Sequence, residues 1–329
     1  MRIAVLALTE VGLRTARRLA AELEDATVLD ARGRMAATLE QAWQNYDGLV
    51  CLMALGIVVR LLSPLLRDKY TDPAVVVCDE QGRFAIAVLS GHIGGANLLA
   101  RQVAGCLGGQ AVITTASDGR GRTALDLWLR DRAMTVPDRK GLTRIMARLL
   151  EAGSIQVYSE VELGALPPDL RLTTDRESAD LVVTWREEAG TSGVVVHPAV
   201  LVAGIGCNRH TPAEEIGQAV QEACAAHGLA RESIAGLASI DLKRDEPGLL
   251  AFARANRYSV EFFDRDQLNG VEGIRPSEAV YRATGARGVA EPAAILAARG
   301  PLLVPKMKWK NVTVAIALRG GVQKKTGEQ

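Results

Sequence analysis

The sequence predicts a multi-domain α/β protein, with N-terminal and C-terminal α/β domains of largely parallel sheets joined by a small α/β middle domain. Three observations carry this. Short apolar runs alternate with helical stretches over the first 137 residues, the pattern of strand–helix–strand units. The same alternation resumes after residue 199. Between them lie only short apolar segments, broken by Pro167-Pro168 and by residues 190–193. A chain of 329 residues suits about two domains, with room for a third small one. The expected boundaries are 1–137, 138–198 and 199–320, with a disordered polar tail over 321–329.

Each element follows from a local pattern. Residues 2–8 read as a buried strand, 9–12 as a turn, and the stretch to about residue 24 as a helix. Strands are expected at 27–30 and 47–53. Two further strands, Ala74–Cys78 and Phe84–Leu89, flank Asp79-Glu80-Gln81-Gly82-Arg83, a hairpin signal. Ala96, Leu99, Val103 and Cys106 step by three and four, giving one apolar helix face. A strand at 111–115 runs into the polar loop Thr115-Ala116-Ser117-Asp118.

In the middle segment one helix (142–152) precedes short strands near 155–158, 181–185 and 194–197. After a strand at 200–205, Thr211-Pro212-Ala213-Glu214 reads as a helix start: Thr as cap, Pro at the first position, Glu completing a capping box. Ile216, Val220 and Ala223 form that helix's apolar face. A hairpin-like pair, 302–309 and 312–318, closes the chain.

Composition narrows the function classes. Hydrophobic residues make up 48% and charged residues 23%, ordinary for a globular protein. Aromatics are only 4%, too few stacking platforms for a single-strand nucleic-acid binder. A net charge of +1 creates no field to attract nucleic acid or a membrane surface. The five cysteines form no CxxC pair and the four histidines have no zinc-site spacing, so reduced thiols and no metal centre are expected. No apolar run is long enough for a signal peptide or membrane span. A cytoplasmic protein is the expectation.

Six clusters could carry chemistry. Ser90-Gly91-His92-Ile93-Gly94-Gly95-Ala96-Asn97 lies between a strand end and a helix start, where open α/β sheets put their ligand sites. His92 is a candidate general base there, with backbone N–H groups near Gly94 and Gly95 as oxyanion donors. The same glycines also suit plain tight packing. Thr114-Thr115-Ala116-Ser117-Asp118 ends another strand and reads equally as a helix cap; a locally parallel sheet would put it on the same edge as His92.

The remaining clusters are charged loops and one strand. Arg60 and Arg67-Asp68-Lys69 could pair with substrate carboxylates or be solvated loop. Gly204-Ile205-Gly206-Cys207-Asn208-Arg209-His210 lacks a dinucleotide fingerprint, but could turn around an anion. Lys243 lies in a charged turn that Asp245 explains as a helix cap. Lys306, Lys308 and Lys310 line one side of a strand, which suits a polycarboxylate ligand or a solubilising edge.

Taken together, these segments resemble one family. The N-terminal part resembles cobalt-precorrin-5A hydrolases in Gly56-Ile57-Val58-Val59-Arg60, Asp68-Lys69-Tyr70-Thr71-Asp72-Pro73-Ala74-Val75-Val76-Val77 and Asp79-Glu80. It does so again in Leu89-Ser90-Gly91-His92-Ile93-Gly94-Gly95-Ala96-Asn97 and Val112-Ile113-Thr114-Thr115-Ala116-Ser117-Asp118. Gly204-Ile205-Gly206-Cys207, residues 237–248, Gly288-Val289-Ala290-Glu291-Pro292-Ala293 and Lys306-Met307-Lys308 resemble the family's C-terminal domain. The resemblance runs in order to about residue 318 and is weakest between 138 and 197. His210 stands where a smaller residue such as Gly is expected.

The resemblance implies a hydrolase of the anaerobic, cobalt-early route to adenosylcobalamin. Water opens the δ-lactone joining the ring A acetate to the meso carbon between rings A and D. That carbon and its methyl group leave as acetaldehyde, giving cobalt-precorrin-5B. Cobalt arrives within the substrate, so no cofactor or separate metal site is implied.

The expected catalytic residues are His92, as base or as a ligand to the substrate's cobalt, Asp118 as orienter or relay, and Glu291 as a second acid/base. Arg60, Lys69, Lys243, Lys306 and Lys308 are the expected cations for the macrocycle's carboxylates, with Ser90, Gly94, Gly95, Asn97 and Thr115 around them. The corrinoid substrate is the expected partner, with no nucleic acid or membrane. A homodimer and transient contact with neighbouring pathway enzymes are compatible. Two other readings are a non-catalytic corrinoid carrier and a nucleotide-dependent α/β enzyme or methyltransferase; missing glycine fingerprints count against the latter.

Overall fold

The computed structural model describes residues 1–68, 71–92, 94–115, 121–187 and 192–321. The chain divides into two compact units, Met1–Arg130 and Asp131–Gln329. The polar tail expected at 321–329 lies, from residue 322, outside the described residues.

In the first unit the elements are β1 (Ile3–Ala7), α1 (Glu10–Glu22), β2 (Ala26–Asp30), α2 (Met35–Asn45), β3 (Gly48–Leu52) and α3 (Leu55–Leu62). They continue with β4 (Ala74–Cys78), β5 (Phe84–Leu89), α4 (Ala96–Leu107), β6 (Gln110–Val112) and α5 (Leu125–Asp131). The six-stranded sheet has the order β2-β1-β3-β4-β5-β6. Its first four strands are mutually parallel, β5 runs antiparallel to β4 as the hairpin signal predicts, and β6 is parallel to β5.

Helices cover both faces, and the strand period of two explains the sorting. Ile3, Val5 and Ala7 pack with Leu13 and Leu19 of α1 and Leu99 and Val103 of α4. Ala4 and Leu6 pack on the other face with Leu39 of α2 and Val58 and Leu62 of α3. A sheet buried on both sides requires continuously apolar strands, and β1, β3 and β4 are buried at every position. Thr9 caps α1 by accepting from the Gly12 amide at 3.0 Å.

The second unit holds two five-stranded sheets. One is built from β7 (Met134–Thr135), β8 (Ile155–Ser159), β9 (Leu170–Leu172), β10 (Leu181–Val183) and β11 (Val194–Pro198), with α6 (Arg139–Ala152) between β7 and β8. Its order is β7-β11-β10-β8-β9, parallel except for β7.

The other sheet comprises β12 (Leu201–Cys207), β13 (Ile234–Ile240), β14 (Ser259–Phe263), β15 (Leu302–Lys308) and β16 (Val312–Leu318). Helices α7 (Ala213–Ala226), α8 (Pro247–Asn256), α9 (Arg265–Asn269), α10 (Glu278–Thr284) and α11 (Ala290–Ala298) accompany it. The order is β14-β13-β12-β16-β15. The first three strands are parallel, and the closing hairpin β15–β16 is antiparallel. Trp185 joins the core of this sheet, and Arg186 bridges to Leu229.

Three strand sets, mostly parallel and helix-flanked, are the predicted multi-domain α/β class. Two local expectations are corrected. Thr211 does not cap α7: its hydroxyl donates to the Asn208 carbonyl at 2.9 Å, and Pro212 occupies the cap position without a side-chain bond. Asp245 does not cap α8 either; that position is Glu246, because Asp245 binds Arg209. Among the described residues, no helix is long and apolar enough to cross a membrane.

Two measurements test this packing. A Cβ at Gly204 in β12 would collide with the Ala290 carbonyl oxygen of α11, where Ala290, Ala293, Ala294 and Ala298 let helix and sheet approach closely. Gly204→Ala is expected to lower stability in urea unfolding by about 1–3 kcal/mol, the usual overpacking cost. Burial pushes the Cys51 and Cys78 thiols up to about 12. Both are expected to resist iodoacetamide at pH 8 in the folded protein, and mass spectrometry should find them alkylated only after unfolding.

Candidate active site

Because β5 is antiparallel to β4, the ends of β5 and β6 lie at the sheet edge where β1, β3 and β4 begin. The chain turns there from β5 into α4. Ser90 takes a left-handed φ of 54°, and its hydroxyl donates to the Asp72 carbonyl at 2.8 Å. The Ser90 carbonyl accepts from the Ala96 amide, that of Gly91 from Asn97 and that of His92 from Gly95, at 3.2, 2.9 and 3.0 Å. The turn is thus folded tightly over the first turn of α4. Side chains are excluded: a Cβ on Gly94 would strike the Ser90 side chain, and Gly95 has φ 88°. The Gly95 amide, a sequence candidate for oxyanion stabilisation, is engaged with His92.

Asn97, buried in the first turn of α4, donates to the Thr115 hydroxyl at 3.0 Å. This bond ties α4 to the segment following β6, so Ser90, Gly94, Gly95, Asn97 and Thr115 lie in one neighbourhood. Lys69 and Asp118 lie outside the described residues. Arg60 is exposed on the last turn of α3.

The imidazole of His92 meets a carboxylate that sequence reasoning did not single out. His92 Nδ1 lies 3.5 Å from Asp126 Oδ1, with the side chains 12% and 10% exposed. Asp126 stands in the first turn of α5, whose Leu125, Trp128 and Leu129 are buried. Burial pushes the Asp126 carboxyl up, but the His92 hydrogen bond, the His92 charge and the Leu127 amide outweigh it, holding the group below its ordinary value. Nothing in the spacing pointed to Asp126, since an acid in a first helical turn reads as a dipole partner. Arg122, also before α5, has a buried Nε with no hydrogen-bond partner among the described residues. An open cavity of about 590 Å³ adjoins Gly95 and is lined by Met1, Glu22, Leu98 and Cys106 but not by His92.

The candidates of the second unit have different surroundings. Glu246, 0% exposed, accepts from Lys243 Nζ at 3.0 Å and from the His210 amide at 2.7 Å. Lys243, 12% exposed, is therefore half of a buried ion pair within the segment after β13, not an open cation, and Glu246 ties that segment to the loop after β12 through the His210 amide. Arg209 binds Asp245 Oδ1 at 2.6 Å and the Leu242 carbonyl at 3.0 Å. His210 has φ 61°, a left-handed position where glycine is the unstrained residue; this accounts for the smaller residue expected there.

Glu291 accepts from the Lys306 amide at 3.0 Å, on edge strand β15 where its register against β16 shifts. Lys306 and Lys308 are exposed, while Met307 and Trp309 pack against the core. Among the described residues, no group of three or more His, Cys, Asp or Glu side chains is placed to hold a metal ion.

These features define an α/β protein with an imidazole–carboxylate pair at a strand edge, suited to general acid–base chemistry. Residues 37–118 match the family model described as "Cobalamin synthesis G N-terminal", and residues 201–317 match "Cobalamin synthesis G C-terminus". The chain is 36% identical over 307 residues to the cobalt-precorrin-5A hydrolase of Priestia megaterium, covering 87% of this chain and 82% of that one. It is 33% identical over 341 aligned residues to the cobalt-precorrin-5A hydrolase of Salmonella typhimurium, covering 96% and 97%.

Among solved structures, a cobalamin biosynthesis protein G homolog from Sulfolobus solfataricus aligns over 96% of both chains at 21% identity and TM-score 0.42. CobE, a protein of the cobalamin pathway, aligns over 37% of this chain and 91% of its own at 35% identity and TM-score 0.35. The chain belongs to the cobalt-precorrin-5A hydrolase family.

The buried pair of the second unit is directly testable. Glu246→Ala leaves Lys243 and the His210 amide without their carboxylate and is expected to cost about 3–5 kcal/mol in urea unfolding, the usual result of breaking a buried pair.

Proposed function

We propose that the protein hydrolyses cobalt-precorrin-5A: water opens the ring A δ-lactone, the meso carbon and its methyl group leave as acetaldehyde, and cobalt-precorrin-5B is formed in anaerobic cobalamin biosynthesis. The single observation that carries the reading is the largely buried His92–Asp126 pair, in a chain that is family-matched along most of its length. Lactone opening consumes one water, whose proton must be removed as its oxygen attacks the carbonyl carbon. An imidazole backed by an ionised carboxylate is suited to that task. His92 is the base in this reading, and Ser90, Asn97 and Thr115 form the wall beside it.

The substrate is a broad apolar macrocycle fringed by carboxylates, with cobalt carried inside it and no further cofactor. Within the first unit, Arg60 and Lys69 are the cations we assign to those carboxylates. The unpartnered Arg122 nitrogen is a further donor an anion would satisfy. Lys243 is left out because Glu246 neutralises it. Asp118 stays in the scheme as a proton relay, and Glu291 as a strand-holding residue whose acid/base role is secondary. The cytoplasm is the compartment we assign, since five free cysteines suit reducing conditions. We divide the chain at 137 and 198 into three domains, a reading supported by its three sheets.

The experiment is anaerobic incubation with cobalt-precorrin-5A while acetaldehyde is trapped and quantified. The wild-type chain is expected to release acetaldehyde, and His92→Ala to slow release by roughly 10²-fold or more. If His92→Ala releases acetaldehyde at the wild-type rate while still binding substrate, the protein is a carrier sheltering an intermediate that opens unaided.

A further inference from the structure

We infer that two copies of this chain pair through β2, an edge strand of the first unit, in a two-fold antiparallel register centred on Val28. The inference stands apart from the reaction proposed above. β2 and β6 close opposite edges of their sheet, so this surface is distinct from the His92 turn that follows β5.

An open sheet edge invites another strand, and proteins blunt it with short strands, charges, proline or bulges. Every other edge strand among the described residues is blunted in one of these ways. β6, β7 and β9 have three, two and three residues. β14 has the exposed Glu261 at its centre. β15 contains Pro305, Lys306 and Lys308, and its register shifts. β2 lacks such protection. It reads Ala26-Thr27-Val28-Leu29-Asp30, holds an unbroken register with β1 and leaves Thr27 exposed. Its single charge, Asp30, sits at one end and is bound by Arg32 at 2.5 Å.

The backbone sets the register. The Asp25 carbonyl accepts from the Ile3 amide and the Ala31 amide donates to the Ala7 carbonyl, so both face β1. Backbone groups of successive residues alternate sides along a strand, which turns those of Ala26, Val28 and Asp30 outward. Antiparallel pairing of Val28 with the partner's Val28 satisfies all of them. The two valines exchange both hydrogen bonds, and Ala26 does the same with the partner's Asp30. The operation is two-fold and closes on itself, as a dimer requires.

The flanks suit a second copy. A two-stranded pair is marginal alone, so the neighbouring surface must contribute. An open groove of about 610 Å³ runs beside β2, lined on α2 by Ala37, Thr38, Gln41 and Asn45. None of these is charged, although a helix flank facing water usually is. Charge complements charge at the two ends. Glu24 and Asp25 are exposed before β2, and Arg34 is exposed after it. The antiparallel register brings each copy's acidic end to the partner's Arg34, twice by symmetry.

The test uses the full chain. Sedimentation equilibrium across a dilution series is expected to show a species of twice the chain mass of 35.1 kDa. Residue-resolved hydrogen exchange is expected to lose its fast phase at the Ala26, Val28 and Asp30 amides as concentration rises. The Thr27 and Leu29 amides, which face β1, serve as the reference, and this arm needs no variant. Thr27→Lys puts an ammonium on the edge at an exposed position. It is expected to halve the mass and retain the wild-type circular dichroism spectrum. Arg34→Glu is expected to raise the dissociation constant by roughly tenfold, and adding Glu24→Lys to recover part of that rise.

A chain that stays single at every concentration overturns the inference. So does a dimer whose Ala26, Val28 and Asp30 amides exchange as fast as in dilute solution, since another surface would then be paired. Thr27→Lys or Arg34→Glu at the wild-type dissociation constant overturns it as well.

Discussion

The reversal of β5 against β4 decides where every candidate group of the N-terminal unit ends up. In a wholly parallel sheet the turn after β5 would lie beyond the carboxyl ends of β1, β3 and β4. The antiparallel hairpin sends it to the opposite edge, beside the chain that enters β4 at Asp72. Ser90 exploits this by bonding the Asp72 carbonyl, at the cost of a left-handed backbone that a non-glycine residue adopts with strain. The parallel partner β6 then ends on the same edge, and Asn97 can reach Thr115. Backbone turns clamped by hydrogen bonds result, with the His92 imidazole beside Asp126 of a docked helix.

Burial sorts the charged residues of the second unit into two roles. Lys243 and Glu246 are withdrawn from solvent and neutralise one another. Glu246, through the His210 amide, holds two loops at the carboxyl ends of adjacent parallel strands, where a ligand site would otherwise be expected. Lys306 and Lys308, on an edge strand, keep their charge in water and remain open to an anionic partner. Glu291 spans the two roles, since its carboxylate satisfies a backbone amide that the bulged edge of β15 leaves outside the ladder.

Much of this was legible in the order of residues. The apolar run of β1 betrayed a buried strand; Asp79-Glu80-Gln81-Gly82-Arg83 announced the hairpin; and the spacing of Ala96, Leu99 and Val103 marked the buried face of α4. Ser90, Gly94, Gly95, Asn97 and Thr115 were recognisable as one neighbourhood, because they flank consecutive strand ends. The caps at Thr211 and Asp245 were misread because each side chain has a competing partner: Thr211 the Asn208 carbonyl three residues back, Asp245 the Arg209 guanidinium of a distant loop, which local rules do not weigh. Asp126 was invisible for a related reason, since its meaning depends on a residue several elements away.

What the sequence alone determined is the class of fold, the order of its elements and the turn that carries His92, all set by periodicity and by glycine's steric freedom over a few residues. Only the tertiary structure decided that Asp126 faces that imidazole and that Lys243 is neutralised. Hydrogen bonds and ion pairs act over a few ångströms in space, whatever the distance along the chain.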